Sequence, residues 1–156
     1  MSDELTHLDE TGAARMVDVG GKDPSDREAV AEAVVSMSDA TRALVLDGAL
    51  PKGDAVAVAR VAAVMAAKRT SDLVPLCHPV DISAIEVVVS PVDGGIRFEV
   101  TVRTTGRTGV EMEAMTAASI GAVTLYDMVK GVERGVTIDT VRLLSKRGGR
   151  SGVWER

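Results

Sequence analysis

The sequence predicts an α+β sandwich in which one antiparallel sheet carries helices packed on one face. Three observations predict it. Two β-branched runs, Ile82 to Pro91 and Ile96 to Thr105, are separated by Asp93-Gly94-Gly95 and read as a hairpin. Two Ala-rich stretches, 55–68 and 109–130, carry helical spacing. Alternating segments stand before the first helix and after the last. The order strand, helix pair, hairpin, helix, strand is that of a ferredoxin-like sandwich.

Taken in order, residues 1–25 mix Gly, Asp and Thr without periodicity and read as an N-terminal loop segment. From Arg27 to Met37, Ala29, Ala31, Ala33, Val35 and Met37 alternate with Glu28, Glu32 and Ser36, which supports a strand although Ala and Glu favour helix. Ser38 is a natural N-cap for a short helix from Asp39 to Leu46, ending at Asp47 and Gly48. After the turn Leu50-Pro51-Lys52-Gly53, Asp54 caps a longer helix with Val58, Val61, Met65 and Lys68 on one stripe. Pro75 and Pro79 break the chain out of helix and hold His78 in a stiff segment. The hairpin and the long helix follow, then an alternating strand, VTIDTVRLL, after Gly135. Residues 146–156 read as a flexible basic tail. The sheet's second face needs a cover, and the many small apolar residues suggest another subunit.

At 156 residues the whole chain, 1–156, fits one domain. A net charge of −5 with one Trp, one Tyr and one Phe argues against a nucleic-acid partner, which asks for a basic surface and stacking aromatics. It argues equally against a membrane surface, and the longest uncharged run, Ala114 to Tyr126, is too short to cross a bilayer. The N-terminal residues lack the features of a signal peptide, and the single cysteine, Cys77, suits a reducing cytoplasm. One cysteine and two distant histidines leave no metal site.

The long helix holds the chemistry. Thr116, Ile120, Val123, Asp127 and Lys130 fall on one face, while Ala114, Ala118, Ala122, Leu125 and Val129 make the others apolar, so burial on more than one side is expected. Alone, Asp127 with Lys130 reads as a stabilising pair, Lys68 as a lysine covering its own stem, and Glu111 with Glu113 as compensation of the helix dipole. His78 reads equally as a satisfied loop histidine or as a substrate-orienting donor or acid, and Cys77 as a packed thiol. Lys146, Arg147 and Arg150, set about two glycines, could close over phosphates. The Gly-Gly pairs match no Walker loop or dinucleotide fingerprint.

Together these pieces resemble a known family. Leu5, Thr6, His7 and Asp9; Met16 to Val19; Arg27 to Ala29; Lys52 to Asp54; Ala66 to Pro79; Gly109 to Ala114; and Tyr126 to Lys130 are similar, in order, to the motifs of the cyclic pyranopterin monophosphate synthases of molybdenum-cofactor biosynthesis. Ser25 and Met115 stand where threonine and leucine are common. The resemblance implies that 3′,8-cyclo-7,8-dihydroguanosine triphosphate is rearranged to the cyclic monophosphate with loss of diphosphate. It implies a homohexamer, a trimer of dimers, with sites at dimer interfaces. It places the active-site aspartate at Asp127 and catalytic lysines at Lys52 and Lys130, and substrate contacts at Leu76, Cys77, His78, Met112 and Glu113. It sets Arg27, Lys68, Glu111 and Lys146 near the ligand. No resident cofactor is implied, although a divalent ion could travel with the triphosphate. The rival class is a ferredoxin-like binding module without catalysis.

Met112 and Asp127 lie about 15 residues apart, roughly 20 Å along a helix, too far for one small substrate. Either the two ends serve sites made with different partners, or Met112 and Glu113 sit in a loop folded back before the helix begins.

Overall fold

The computed structural model describes residues 8–156, so Leu5, Thr6 and His7 lie outside the described residues. The elements are β1 (Ser25–Ser36), α1 (Asp39–Leu46), α2 (Ala55–Lys68), α3 (Thr70–Leu73), β2 (Ile82–Val92), β3 (Gly95–Gly106), α4 (Glu111–Val129), β4 (Thr137–Arg147) and β5 (Trp154–Glu155). The strands form one sheet in the order β2-β3-β1-β4-β5, with antiparallel neighbours throughout. The first four strands have the ferredoxin-like order, and β5 extends the edge beside β4. Among the described residues, no helix is long and apolar enough to cross a membrane.

Local chemistry sets the boundaries. The Ser38 hydroxyl accepts the amide of Thr41 at the start of α1, and the Asp54 carboxylate accepts that of Ala57 at the start of α2. Alternation makes β1 two-faced: Ala29, Ala31, Ala33 and Val35 are fully buried beneath the helices, beside Ile96, Phe98, Val100 and Val102 of β3. Their shortness lets α4 come close. Phe98 fills the space under α4, where a Cβ on Gly121 would lie 3.2 Å from its ring and 3.4 Å from Ala63 of α2.

The opposite sheet face is rich in charged side chains. Its covering is ionic: Glu32, only 4% exposed, meets Arg97 at 2.5 Å and Arg142 at 2.6 Å. Glu28 meets Arg103 and Arg147, each at 2.6 Å. The small apolar residues of β1, Ala29, Ala31 and Ala33, point into the helix layer. Exposed apolar side chains stand on the helices and also on the strands, at Val88 of β2, Val141 of β4 and Trp154 of β5. The α2 stripe of Val58, Val61, Met65 and Lys68 faces outward with Val123 of α4, while Ala55, Ala59, Ala63, Ala66 and Ala67 make the packed face. Alanine packs because the helices approach too closely for valine.

Two further segments differ. The breaker after Lys68 begins with a single helical turn, α3, closed by Thr70, whose buried hydroxyl donates to the carbonyls of Ala66 and Ala67. The 146–156 tail is not a free end: Lys146 and Arg147 finish β4, and Trp154–Glu155 pair back onto Ser145 and Lys146.

Phe98→Ala should destabilise the chain by about 3–5 kcal/mol and Gly121→Leu by about 1–3 kcal/mol, the first by opening a cavity and the second by overpacking. Urea unfolding followed by circular dichroism would measure both.

Candidate active site

The sequence-predicted residues gather in two clusters at opposite ends of α4. At the C-terminal end, Asp127 receives Lys130 Nζ at 2.7 Å on one carboxylate oxygen and Lys52 Nζ at 3.1 Å on the other. Lys52 also donates to the Asp127 backbone carbonyl at 2.8 Å. Lys52 comes from the turn before α2, and the positive φ of +95° at Gly53 makes that turn a glycine position. Two ammonium groups at a helix C-terminus offset its negative dipole and the carboxylate placed there. The Lys130 hydrogen bond, then that of Lys52, holds the Asp127 carboxyl below its usual range, and the same pair raises Lys130. The three side chains are about half exposed (45%, 55% and 51% for Lys52, Asp127 and Lys130), so within the single chain the cluster is open to solvent.

At the N-terminal end, the helix begins at Glu111, so Met112 and Glu113 belong to its first turn and not to a folded-back loop. A cavity of about 280 Å³ opens there, lined among others by Leu76, Cys77, His78, Glu111, Met112 and Glu113. The Pro75–Pro79 segment forms one wall, and Val17 and Val19 of the Met16–Val19 motif another. Glu113 is buried, and burial pushes its carboxyl up to about 7, with the neighbouring Glu111 charge adding to the effect. Cys77 is raised by burial and by Glu113, which keeps it a thiol, as a packed cysteine should be.

The cavity continues into a second space of about 440 Å³ bordered by Lys22, Arg27, Arg107, Lys146 and Arg150, with Glu111 as its acid. Lys146 reaches Glu111 at 3.2 Å. Its direction depends on a bulge. β1 pairs Val30 with Ser145 and Ala31 with Leu143, leaving Leu144 unpaired, so the alternation shifts by one. Lys146 thereby stands opposite Ala29 on the helix side, and Arg147 opposite Glu28 on the outer face.

Of the expected residues, Arg27, Glu111 and Lys146 join the basin, and Leu76, Cys77, His78, Met112 and Glu113 the cavity. Asp127, Lys130 and Lys52 form their own cluster, and Lys68 lines neither space. Lys22 and Arg107 were not legible, since each is a lone cation in a loop, and only their meeting gives them meaning. Arg150 had a signal in the basic set around Gly148-Gly149. Arg147, of the same set, is engaged by Glu28 instead. Among the described residues, no three His, Cys, Asp or Glu side chains are grouped closely enough to hold a metal ion.

The frame and these spaces define a ferredoxin-like subunit with a buried carboxyl beside a cation-rimmed basin. The sequence matches the MoaC family over residues 16–149. It is 56% identical to the cyclic pyranopterin monophosphate synthase of Chloroflexus aurantiacus, over 98% of this chain and 95% of that protein. Proteins of the same name from Chloroflexus aggregans and Brucella ovis are 55% and 53% identical, each over 99% of this chain and 94% of theirs. The chain belongs to the MoaC family.

The raised carboxyl of Glu113 predicts a pH dependence. Its folded value, about 7, lies above the ordinary 4.5, so the native state holds the extra proton between those limits. The stability associated with it is complete below about pH 4.5 and is lost as pH rises through 7. Wild-type stability should fall by about 3 kcal/mol more than that of Glu113→Gln between pH 5 and pH 8. Urea titrations at the two pH values check this.

Proposed function

We propose that the chain is a cyclic pyranopterin monophosphate synthase, a phosphorus-oxygen lyase of molybdenum-cofactor biosynthesis. It converts (8S)-3′,8-cyclo-7,8-dihydroguanosine 5′-triphosphate to cyclic pyranopterin monophosphate and diphosphate. The observation that carries this reading is the joined pair of spaces, one lined by the Leu76–Cys77–His78 and Met112–Glu113 motif residues and the other rimmed by five cations. Three phosphates enter and two leave as diphosphate, so the third stays in the product as its cyclic phosphate. Cations at the basin suit both the bound triphosphate and the charge gathering on the departing diphosphate. The purine-derived ring, which must exchange several protons, fits the cavity side, whose lining includes the His78 imidazole and the Glu113 carboxyl.

Asp127, Lys130 and Lys52 are assigned the acid/base work, and they need a second copy to reach that cavity. The stripe from Thr116 through Ile120 and Val123 to Asp127 lies on the outer side of α4, with Val123 51% exposed. Ile120 is seven residues from Glu113 and seven from Asp127. An isologous contact centred on Ile120, with two α4 helices antiparallel, would set Asp127 of each copy against Glu113 of the other. One contact then makes two complete sites. Three such dimers make the homohexamer, with Lys68 on the same outer face available to the partner's basin. The assignment asks for no resident cofactor, nucleic acid or membrane. A divalent ion would arrive with the triphosphate, and the cytoplasm is the compartment assigned.

Asp127→Asn or Lys130→Ala should lower diphosphate release from the cyclic dihydro-GTP by about 10²–10⁴-fold in folded protein. Near-normal turnover would remove them from the mechanism. Mixing and reassembling inactive Asp127→Asn and Glu113→Gln chains should restore about a quarter of wild-type activity, because half of randomly formed dimers then carry one intact site. No restoration would place both residues in a site made by one chain.

A further inference from the structure

The turn after β4 reaches back to the start of β1. Gly148 and Gly149 have φ of +97° and +72°, conformations that glycine alone adopts without strain. Space is lacking as well. A Cβ on Gly148 would fall 2.1 Å from the Asp26 carbonyl oxygen, and one on Gly149 would fall 2.2 Å from Arg27 Nη1 and 2.8 Å from its Cζ. On its other side the Arg27 guanidinium is held by β3: Nε donates to the Gly106 carbonyl at 2.9 Å and Nη2 to that of Arg107 at 3.3 Å. Those two bonds use two of the five guanidinium N–H groups, which leaves three for the basin that Arg27 shares with Lys22, Arg107, Lys146 and Arg150.

We propose that Gly149, supported by Gly148, is a positioning residue for Arg27. Its bare backbone lets the guanidinium lie between the end of β3 and the turn after β4, with its free N–H groups presented to the phosphates. A side chain at 149 must turn the guanidinium away from those carbonyls or push the turn off the basin. The same turn carries Arg150 and Ser151, and Ser151 accepts a hydrogen bond from Lys146 Nζ, so displacement would reach further cations of the basin. This inference rests on reading the basin as a phosphate site.

Inorganic tripolyphosphate, titrated calorimetrically into the full chain, reads the basin without any chemistry. Gly149→Ala should weaken its binding by about tenfold, the worth of a charge-assisted hydrogen bond. Gly152→Ala is the control, because Gly152 shares a positive φ of +65° in the same segment while its Cβ would meet nothing within 4 Å. That variant should stay within about twofold of wild type, since it carries the backbone strain without the steric clash. With substrate, Gly149→Ala should raise KM while leaving kcat nearly unchanged. In an Arg27→Ala background the further loss from Gly149→Ala should disappear. If Gly149→Ala alone does not fold, the double variant, which lacks the clash, should fold. Equal losses for Gly149→Ala and Gly152→Ala, an undiminished loss in the Arg27→Ala background, a double variant that also fails to fold, or a wild type that does not bind tripolyphosphate would each overturn the proposal. Tripolyphosphate binding with this pattern but no turnover of the cyclic dihydro-GTP would leave the positioning role standing and remove the synthase reading.

Discussion

The close approach of α2 to α4 is the constraint on which the rest depends. Both helices face one another and the sheet through alanine and glycine, and at their midpoint Ala63, Gly121 and Phe98 leave no room for another methyl. Such packing yields little apolar area per residue, but it fixes the two helices in register because the fit is steric. The register brings the Lys52 turn, which precedes α2, against the last turn of α4. Lys52 can then take both the Asp127 carboxylate and its otherwise orphaned carbonyl. The larger apolar residues of α2 are displaced outward as a result, leaving Val58, Val61 and Met65 as surface in the single chain.

A second constraint builds the cation-rimmed basin. Its cations come from the loop before β1, from β1 itself, from the end of β3 and from the end of β4 with its turn, so no sequence run contains it. Two backbone irregularities bring them together. The unpaired Leu144 turns Lys146 to the inner side of the sheet, and the left-handed glycines after Arg147 fold the chain back toward Arg27. A regular β4 would have placed Lys146 among the ion pairs of the outer face and Arg147 on the inner one. The acidic overall charge is compatible with this basin because net charge does not fix where charges gather, and five cations from separate segments meet here.

These two constraints explain what could be read in the sequence. Local signals were sufficient for the longer elements: Ser38 and Asp54 cap the helices that follow them, Asp93-Gly94 turns the hairpin, and the alternation of Ala29 to Val35 made a strand of residues with helical propensity because one face had to be buried. Helical spacing also identified the outward stripe ending in Asp127 and Lys130. It could not tell an outer stripe from an inner one, since an exposed valine has the same spacing as a buried one. Composition likewise does not say that alanine lines the helix contact while arginine and glutamate stand on the outer face of the sheet. Lys22, Arg107 and the Leu144 bulge left no periodic trace. The pairing of Trp154–Glu155 with β4 was hidden by the glycines around it, which read as a loose tail.

The environments of Glu113 and Asp127 give the divided site its chemical sense. Burial beside Glu111 lifts one carboxyl to about 7, while two lysines hold the other below its ordinary range, so near neutrality the first can exchange a proton and the second remains a charged partner for ammonium groups. Separation along α4 keeps the two environments distinct within each chain. A two-fold contact would bring the charged cluster to the mouth of the cavity from outside, leaving the Glu113 side chain in its own apolar wall. The lysines would then lose solvent, strengthening their hold on Asp127 and on any phosphate between the two halves. In the proposed two-fold assembly, completion of the site and exclusion of water would be one event, closing the end of the helix that stands open on the single chain.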